Sequence, residues 1–304
     1  MRISFINTLT ELAAQNKDVM LITGDLGFSV FEDFKERFPD QYLNVGVAEQ
    51  NMISVAAGLA LSGKLPFVYS ITTFATMRPY EQIRNDVSYQ NLPVVIIGGG
   101  STFSYSTFGC THMPLEDVSI MRTLPGMRVL VPGDPYEVRE LILGAYKNRG
   151  PAYIRIAKRG EPQVHGNKTL IEIGKAATVR EGDDVAIIVS GGQLPNAIKA
   201  AAGLADQGIE ARVVSMHTIK PIDEDAIMEA AKTKAIVTVE EHNLIGGLAS
   251  AVAETLVKNG KHIPVKSLGI TDEFPTGVGS SDYFMSRYGL TSDNIIQSVI
   301  NLLK

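Results

Sequence analysis

Short runs of β-branched and apolar residues alternate with longer helical patterns along almost all of this chain, and that alternation restricts the fold more than any other feature. Residues 19–22, 42–47, 67–71, 94–97, 128–131 and 153–156 read as strands. Residues 49–61, 78–89 and 135–147, lying between them, read as helices. Strands separated by helices imply parallel βαβ units. Strands this uniformly apolar imply a sheet covered on both faces. Residues 158–169 then break the pattern, with two Gly, one Pro, several charges and no periodicity, as an interdomain linker does. Alternation resumes with strands at 185–189, 211–215, 235–239 and 265–268 and helices at 196–207, 223–231 and 247–258. An amphipathic helix over 292–304, with Asp293 in its first turn, closes the chain. The expected architecture is α/β: a parallel-sheet domain over residues 1–160, a linker at 161–170, and a smaller α/β domain over 171–304.

With 304 residues the chain can bury roughly three quarters of its unfolded surface, enough for about two domains. A net charge of −5 argues against a nucleic-acid or anionic-membrane partner, either of which needs a basic excess. No apolar run reaches the ~18 residues that span a bilayer, and residues 1–5 lack the apolar core of a signal peptide. Cys110 is the single cysteine, so no intramolecular disulfide and no cysteine-based zinc site can form. A lone thiol suits a reducing, cytoplasmic setting, and Cys110 reads as a small apolar residue. The five histidines (112, 165, 217, 242, 262) show no zinc spacing. Neither a dinucleotide fingerprint nor a phosphate-binding P-loop is present, although Gly98-Gly99-Gly100 closes a strand.

The most informative segment is Asn44-Val45-Gly46-Val47-Ala48-Glu49-Gln50-Asn51-Met52. It puts a carboxylate where an apolar strand ends and a helix rich in small residues (Ala56, Ala57, Gly58, Ala60) begins. The carboxyl end of a strand in an open α/β sheet is the usual place for a ligand crevice. The apolar neighbours Val45, Val47 and Met52 would disfavour ionisation of Glu49, and the helix N-terminus would favour it. Taken alone, the segment does not separate a ligand-binding acid from an acid that sits in a first helical turn.

Residues 45–52 resemble the segment that carries the cofactor-activating glutamate in the pyrimidine domain of thiamine-diphosphate enzymes of the transketolase type. The resemblance covers nearly the whole chain. Gly24-Asp25-Leu26 is similar to the first turn of transketolases. Thr73-Phe74-Ala75-Thr76-Met77-Arg78-Pro79-Tyr80-Glu81-Gln82-Ile83-Arg84 is similar to a segment of split transketolases. Thr111-His112, Glu116-Asp117, Met121-Arg122, Pro125-Gly126-Met127, Thr218-Ile219-Lys220-Pro221 and Val239-Glu240-Glu241-His242 follow the same family.

The resemblance implies a thiamine-diphosphate cofactor, whose carbanion-stabilising chemistry the protein serves by placement and electrostatics. It implies that Glu49 hydrogen-bonds the pyrimidine ring nitrogen, a proton-sharing role that needs a water-poor site. Phe74 would stack on the pyrimidine, and Asp25 and Leu26 would belong to the cofactor turn. Without the resemblance, Phe74 and Tyr80 read equally as core, and Tyr80 is assigned to core packing. His112 matches a histidine of the substrate channel, able to donate to a ketose oxygen or shuttle a proton, although a lone histidine is as readily structural. Arg2 and Ser29 fall where the family binds substrate phosphate. Lys158 or Arg159 falls near a second phosphate-binding position, with the register open by one residue.

The family holds its Mg2+ with a Gly-Asp-Gly segment and a later Asn in a separate domain, and the ion requires oxygen ligands. Gly24-Asp25-Leu26, Gly133-Asp134-Pro135 and Gly182-Asp183-Asp184 do not match, so no metal ligands are assigned to this chain. The resemblance therefore implies a separate diphosphate-binding subunit, a heterotetramer with two sites, and self-association through the helix after Glu49.

One stretch departs from the family. Gly100 stands where split transketolases carry a His. Ser106-Thr107-Phe108-Gly109 replaces Gly-Glu-Asp-Gly, so that Phe108 stands for an acid that reads a sugar hydroxyl. A site without hydrogen-bond partners cannot reward extra hydroxyls, which points to atypical sugar substrates. The expected activity is transfer of a two-carbon ketol unit. Alternatives are a 2-oxoacid dehydrogenase β chain, a deoxyxylulose-phosphate-synthase-like carboligase, and a regulatory homologue without catalysis. The intact Glu49 and Phe74 argue against the last.

Overall fold

The computed structural model describes residues 1–158, 160–166 and 169–304. The strands are β1 Val19–Thr23, β2 Tyr42–Asn44, β3 Leu65–Ile71, β4 Val95–Gly99, β5 Arg128–Leu130, β6 Ala152–Ile156, β7 Ala177–Arg180, β8 Val185–Val189, β9 Ala211–Ser215, β10 Thr218–Lys220, β11 Ile236–Asn243 and β12 Val265–Ile270. They form a seven-stranded sheet in the order β10-β5-β6-β4-β3-β1-β2 and a five-stranded sheet in the order β12-β11-β8-β9-β7.

Every residue of β1, β4, β6 and β8 is buried, as strands covered on both faces must be. Successive side chains leave a strand on opposite faces. Val68 and Ile96 thus join a core with Met52, Ile53 and Ala56 of the helix Glu49–Leu61. Phe67, Val95 and Ile97 join a second core with Phe5 and Leu9 of the helix Arg2–Gln15 and Val138 and Leu141 of the helix Pro135–Lys147. The first core runs on without a break into Ile188, Val214, Met216 and Leu248, so the two sheets share it. The last-named helix starts at Pro135, with the Asp134 carboxylate accepting from the Glu137 N–H at 2.7 Å, an N-cap.

Several expectations change. The strand expected over 42–47 stops at Asn44, because Gly46 turns at φ +77° and its N–H is taken by the Asn44 side chain at 3.0 Å. The helix expected over 78–89 begins at Tyr80, after Pro79, and changes from α to π at Ile83. Thr72–Thr76 is a separate short α-helix before it, and the π-helical segment is Ile83–Ser88. A proline lacks the N–H that a continuous helix would use there. Strands β7 and β10, too short to show as apolar runs, were not expected. Both are antiparallel edges, and β10 crosses from the second half of the chain to pair with β5 of the first sheet. No helix of the described residues is long and apolar enough to cross a membrane.

The carboxyl ends of β1, β2, β3, β4 and β6 lead directly to Asp25, Glu49, Thr72–Thr76, the Gly100–His112 segment and Lys158. The parallel order of the sheet brings these five segments to one edge, the usual crevice of such a fold.

Candidate active site

Glu49 opens its helix and is 2% exposed. Its Oε1 accepts from the Ser70 hydroxyl at the end of β3 at 2.9 Å, and its Oε2 accepts from Arg78 Nη1 at 2.9 Å. Sequence reasoning weighed apolar neighbours against the helix N-terminus; the structure adds a cation and a hydroxyl. Of the three apolar neighbours, Met52 is fully buried, whereas Val47 is 71% exposed and lines no apolar shell. Beside the carboxylate lies a cleft of about 630 Å³ lined by Val47, Ala48, Glu49, Gln50, Asn51 and Arg78.

Asp25 and Leu26 lie in the β1 exit turn. Asp25 adopts φ +57°, and its carboxylate accepts from the Asn44 amide at 2.9 Å while its N–H donates to Asn44 Oδ1 at 3.0 Å. Asp25 is thus committed to clamping two loops that border Glu49. Leu26 packs half-buried against the core. At Gly24 a side chain would sit 3.5 Å from Glu49 Oε1, so this turn forms one wall of the acid's surroundings.

Phe74 is half-buried, with the Arg78 guanidinium carbon 3.9 Å from its ring centroid and the His112 ring edge-on at 5.0 Å. Burial, and then the Arg78 charge, hold the His112 imidazole below its usual range. The Phe108 ring, 64% exposed, lies 5.2 Å from His112 and 6.3 Å from Tyr105. Lys158 Nζ stands 4.2 Å over the Tyr105 ring. Its ammonium is pushed down by burial and by nearby Arg2, whose charge also reaches the buried Tyr69 hydroxyl. Two cations therefore share one end of an aromatic row, an arrangement that an anion would relieve.

The structure brings Glu49, Phe74 and His112 together, and Arg2 and Lys158 together. Ser29, at φ +62°, is exposed and donates its N–H to Glu32 at 2.7 Å. Arg159 lies outside the described residues. Tyr80 packs against the core and donates to the Ile120 carbonyl at 3.0 Å, in keeping with its packing assignment. Cys110 is half-buried, and burial pushes its thiol up. Gly100 has a physical reason: at φ +104° a side chain there would meet the Tyr105 ring at 2.6 Å. Sequence reasoning gave no role to Arg78 or Ser70. Local order offered no signal for either, since Arg78 lies past the end of the helix Thr72–Thr76 that carries Phe74.

A buried acid close to an aromatic ring, at the carboxyl ends of a parallel sheet, forms a crevice able to hold a flat heteroaromatic ligand. The chain belongs to the transketolase family: residues 1–162 match its pyrimidine binding domain and residues 174–295 its C-terminal domain. It is 39% identical to the 6-deoxy-6-sulfo-D-fructose transketolase subunit of Clostridium sp. (strain MSTE9), over 98% of this chain and 92% of that one. It is 38% identical to an apulose-4-phosphate transketolase subunit of Phocaeicola vulgatus, over 100% of this chain and 97% of that one. A solved split-gene transketolase, an inactive β4 tetramer, superposes with a TM-score of 0.89 at 37% identity, covering 99% of this chain and 96% of that one. The match spans at least 92% of each of these three proteins.

Proposed function

We propose that this chain is the C-terminal, pyrimidine-side subunit of a thiamine-diphosphate-dependent transketolase. The enzyme moves a two-carbon ketol unit from a ketose to an aldose-type acceptor and is active only with a separate diphosphate-binding chain. The observation that carries this reading is the 2%-exposed Glu49 carboxylate facing an open cleft, with Phe74 against the Arg78 guanidinium that lines it. These residues fit the pyrimidine end of the cofactor. Bound thiamine diphosphate supplies carbanion stabilisation through its ylid. Glu49 would hold the ring nitrogen and Phe74 would offer a ring face, with Asp25 and Leu26 fixing the turn behind them. Among the described residues no cluster of three or more His, Cys, Asp or Glu could hold a metal ion, and the Mg2+ ligands are assigned to the partner.

His112, whose ring meets Phe74, would donate to a substrate oxygen or move a proton there. Arg2 and Lys158, with Ser29 and Arg159, are assigned to an anionic substrate terminus. Both relatives are named for sugars that end in an anion, a sulfonate and a phosphate. The exposed Phe108 beside His112 favours a sugar of unusual substitution over an ordinary pentose phosphate.

The division into residues 1–160, 161–170 and 171–304, a heterotetramer with two sites, and a cytoplasmic setting belong to the same proposal. Self-association would use the helix Glu49–Leu61. Its alanines 56, 57 and 60 are buried in the chain's own core, which leaves Asn51, Ser54, Gly58 and Leu61 as the exposed stripe.

The test is Glu49→Gln in the complex with the partner subunit. Turnover should fall by about 100-fold or more while cofactor binding persists. Near-normal turnover would remove Glu49 from the chemistry. Calorimetry of the isolated chain with thiamine diphosphate and Mg2+ should show no binding, and tight binding would contradict the shared site.

A further inference from the structure

Arg78 contacts both surfaces that the cofactor assignment gives to the pyrimidine. Its Nη1 donates to Glu49 Oε2 at 2.9 Å, and its guanidinium carbon lies 3.9 Å from the Phe74 ring centroid. Glu49 is almost wholly buried, yet the Arg78 side chain is 46% exposed, so the cation reaches in from the mouth of the cleft it lines. A guanidinium is planar, carries donors along its edge and stacks on aromatic faces. It therefore presents to Glu49 and Phe74 what a protonated aminopyrimidine ring would present: an in-plane N–H for the carboxylate and a flat face for the ring. The other oxygen of Glu49 is held by Ser70 at 2.9 Å, so the carboxylate stays aimed whichever group occupies the first.

We infer that Arg78 is a place-holder for the pyrimidine: in the free subunit its guanidinium occupies the Glu49–Phe74 slot, and loading the cofactor requires Arg78 to leave. Arg78 is thereby a positioning residue. It keeps a buried carboxylate paired and aimed while no ring is present, avoiding the large cost of a lone buried charge. The same contact lowers the apparent affinity for the ring, because an internal ligand leaves only a fraction of subunits competent to bind.

The inference rests on the cofactor assignment, and the experiment separates the two. Thiamine diphosphate with Mg2+ is titrated into the complex of this chain with its diphosphate-binding partner, following affinity and association rate for the wild type, Arg78→Met and Arg78→Gln. If Arg78 holds the slot about nine-tenths of the time, Arg78→Met binds about tenfold tighter, with the gain in the association rate. Arg78→Gln, which leaves Glu49 a neutral donor, should gain less, and it serves if the methionine variant does not fold. Wild-type binding with unchanged or weaker binding by both variants overturns the inference alone, since Arg78 would then be inert or a contact of the bound ring. A wild-type complex that binds no thiamine diphosphate overturns the cofactor assignment, and this inference with it.

Discussion

Arg155 of β6 donates to Asp117 Oδ1 at 3.1 Å, with the two side chains 2% and 0% exposed. The Tyr153 hydroxyl donates to the other carboxylate oxygen, and His242 of β11 stands 3.8 Å from Asp117 with a fully buried ring. One carboxylate thus joins side chains of both sheets where no water reaches. A buried pair of this kind is costly to break from one side, because the remaining charge stays buried.

Asp117→Asn should therefore destabilise the chain by about 3–5 kcal/mol. Urea unfolding would show a lower midpoint at an unchanged slope. A loss of the size seen at surface positions would mean that Arg155 finds another partner.

His217 gives a pH-dependent prediction. It is fully buried, burial pushes its imidazole down to about 4, and its Nε2 has no partner among the described residues. The charged groups His165, Asp134 and Asp223 act on it less than burial does. An unfolded chain protonates this histidine near pH 6.5, so between about 6.5 and 4 the unfolded state binds the extra proton and stability falls as pH falls. Relative to His217→Phe, the wild type should lose about 2 kcal/mol between pH 7 and pH 5. Urea titrations at the two pH values measure it, and parallel losses in both proteins would contradict it.

Gly100→Ala should be harmful well beyond a methyl group. Its φ of +104° and the 2.6 Å approach to Tyr105 leave no room for a side chain. A cost of about 1–3 kcal/mol is expected, measured by thermal unfolding. Tyr105 would also be pushed off Lys158, raising KM for an anion-ended substrate with little change in kcat.

Arg2→Ala and Lys158→Ala should each raise KM for such a substrate by about tenfold, the scale of a hydrogen bond to a charged group. Adding salt should shrink the difference. A sugar without the terminal anion should be indifferent to both changes, and equal effects on both sugars would remove the cation pair from substrate recognition.

Much of the fold was legible in residue order. The apolar runs that became β1, β4, β6 and β8 are buried at every residue, and burial on both faces is what keeps most polar residues out of a strand. The strands that escaped notice, β7 and β10, are edges of four and three residues with one partner each, and so little periodicity to show. Pro79 announced that the helix expected over 78–89 would not run back into Thr72–Thr76, but the π-helical form of Ile83–Ser88 depends on hydrogen bonds such as Tyr89 N–H to the Arg84 carbonyl at 2.9 Å.

For the site, local order alone placed Glu49 at a strand-to-helix junction, because strand end and helix start are adjacent in sequence. Which groups meet it was decided in three dimensions. Ser70 lies 21 residues from Glu49 and Arg78 lies 29 residues away. Only the parallel pairing of β1 with β2 and β3 brings their loops to one edge. The same holds for Arg2 and Lys158, from opposite ends of the first domain. Short-range patterns record what each segment buries; the charges that share a crevice are set by strand order, which no segment carries by itself.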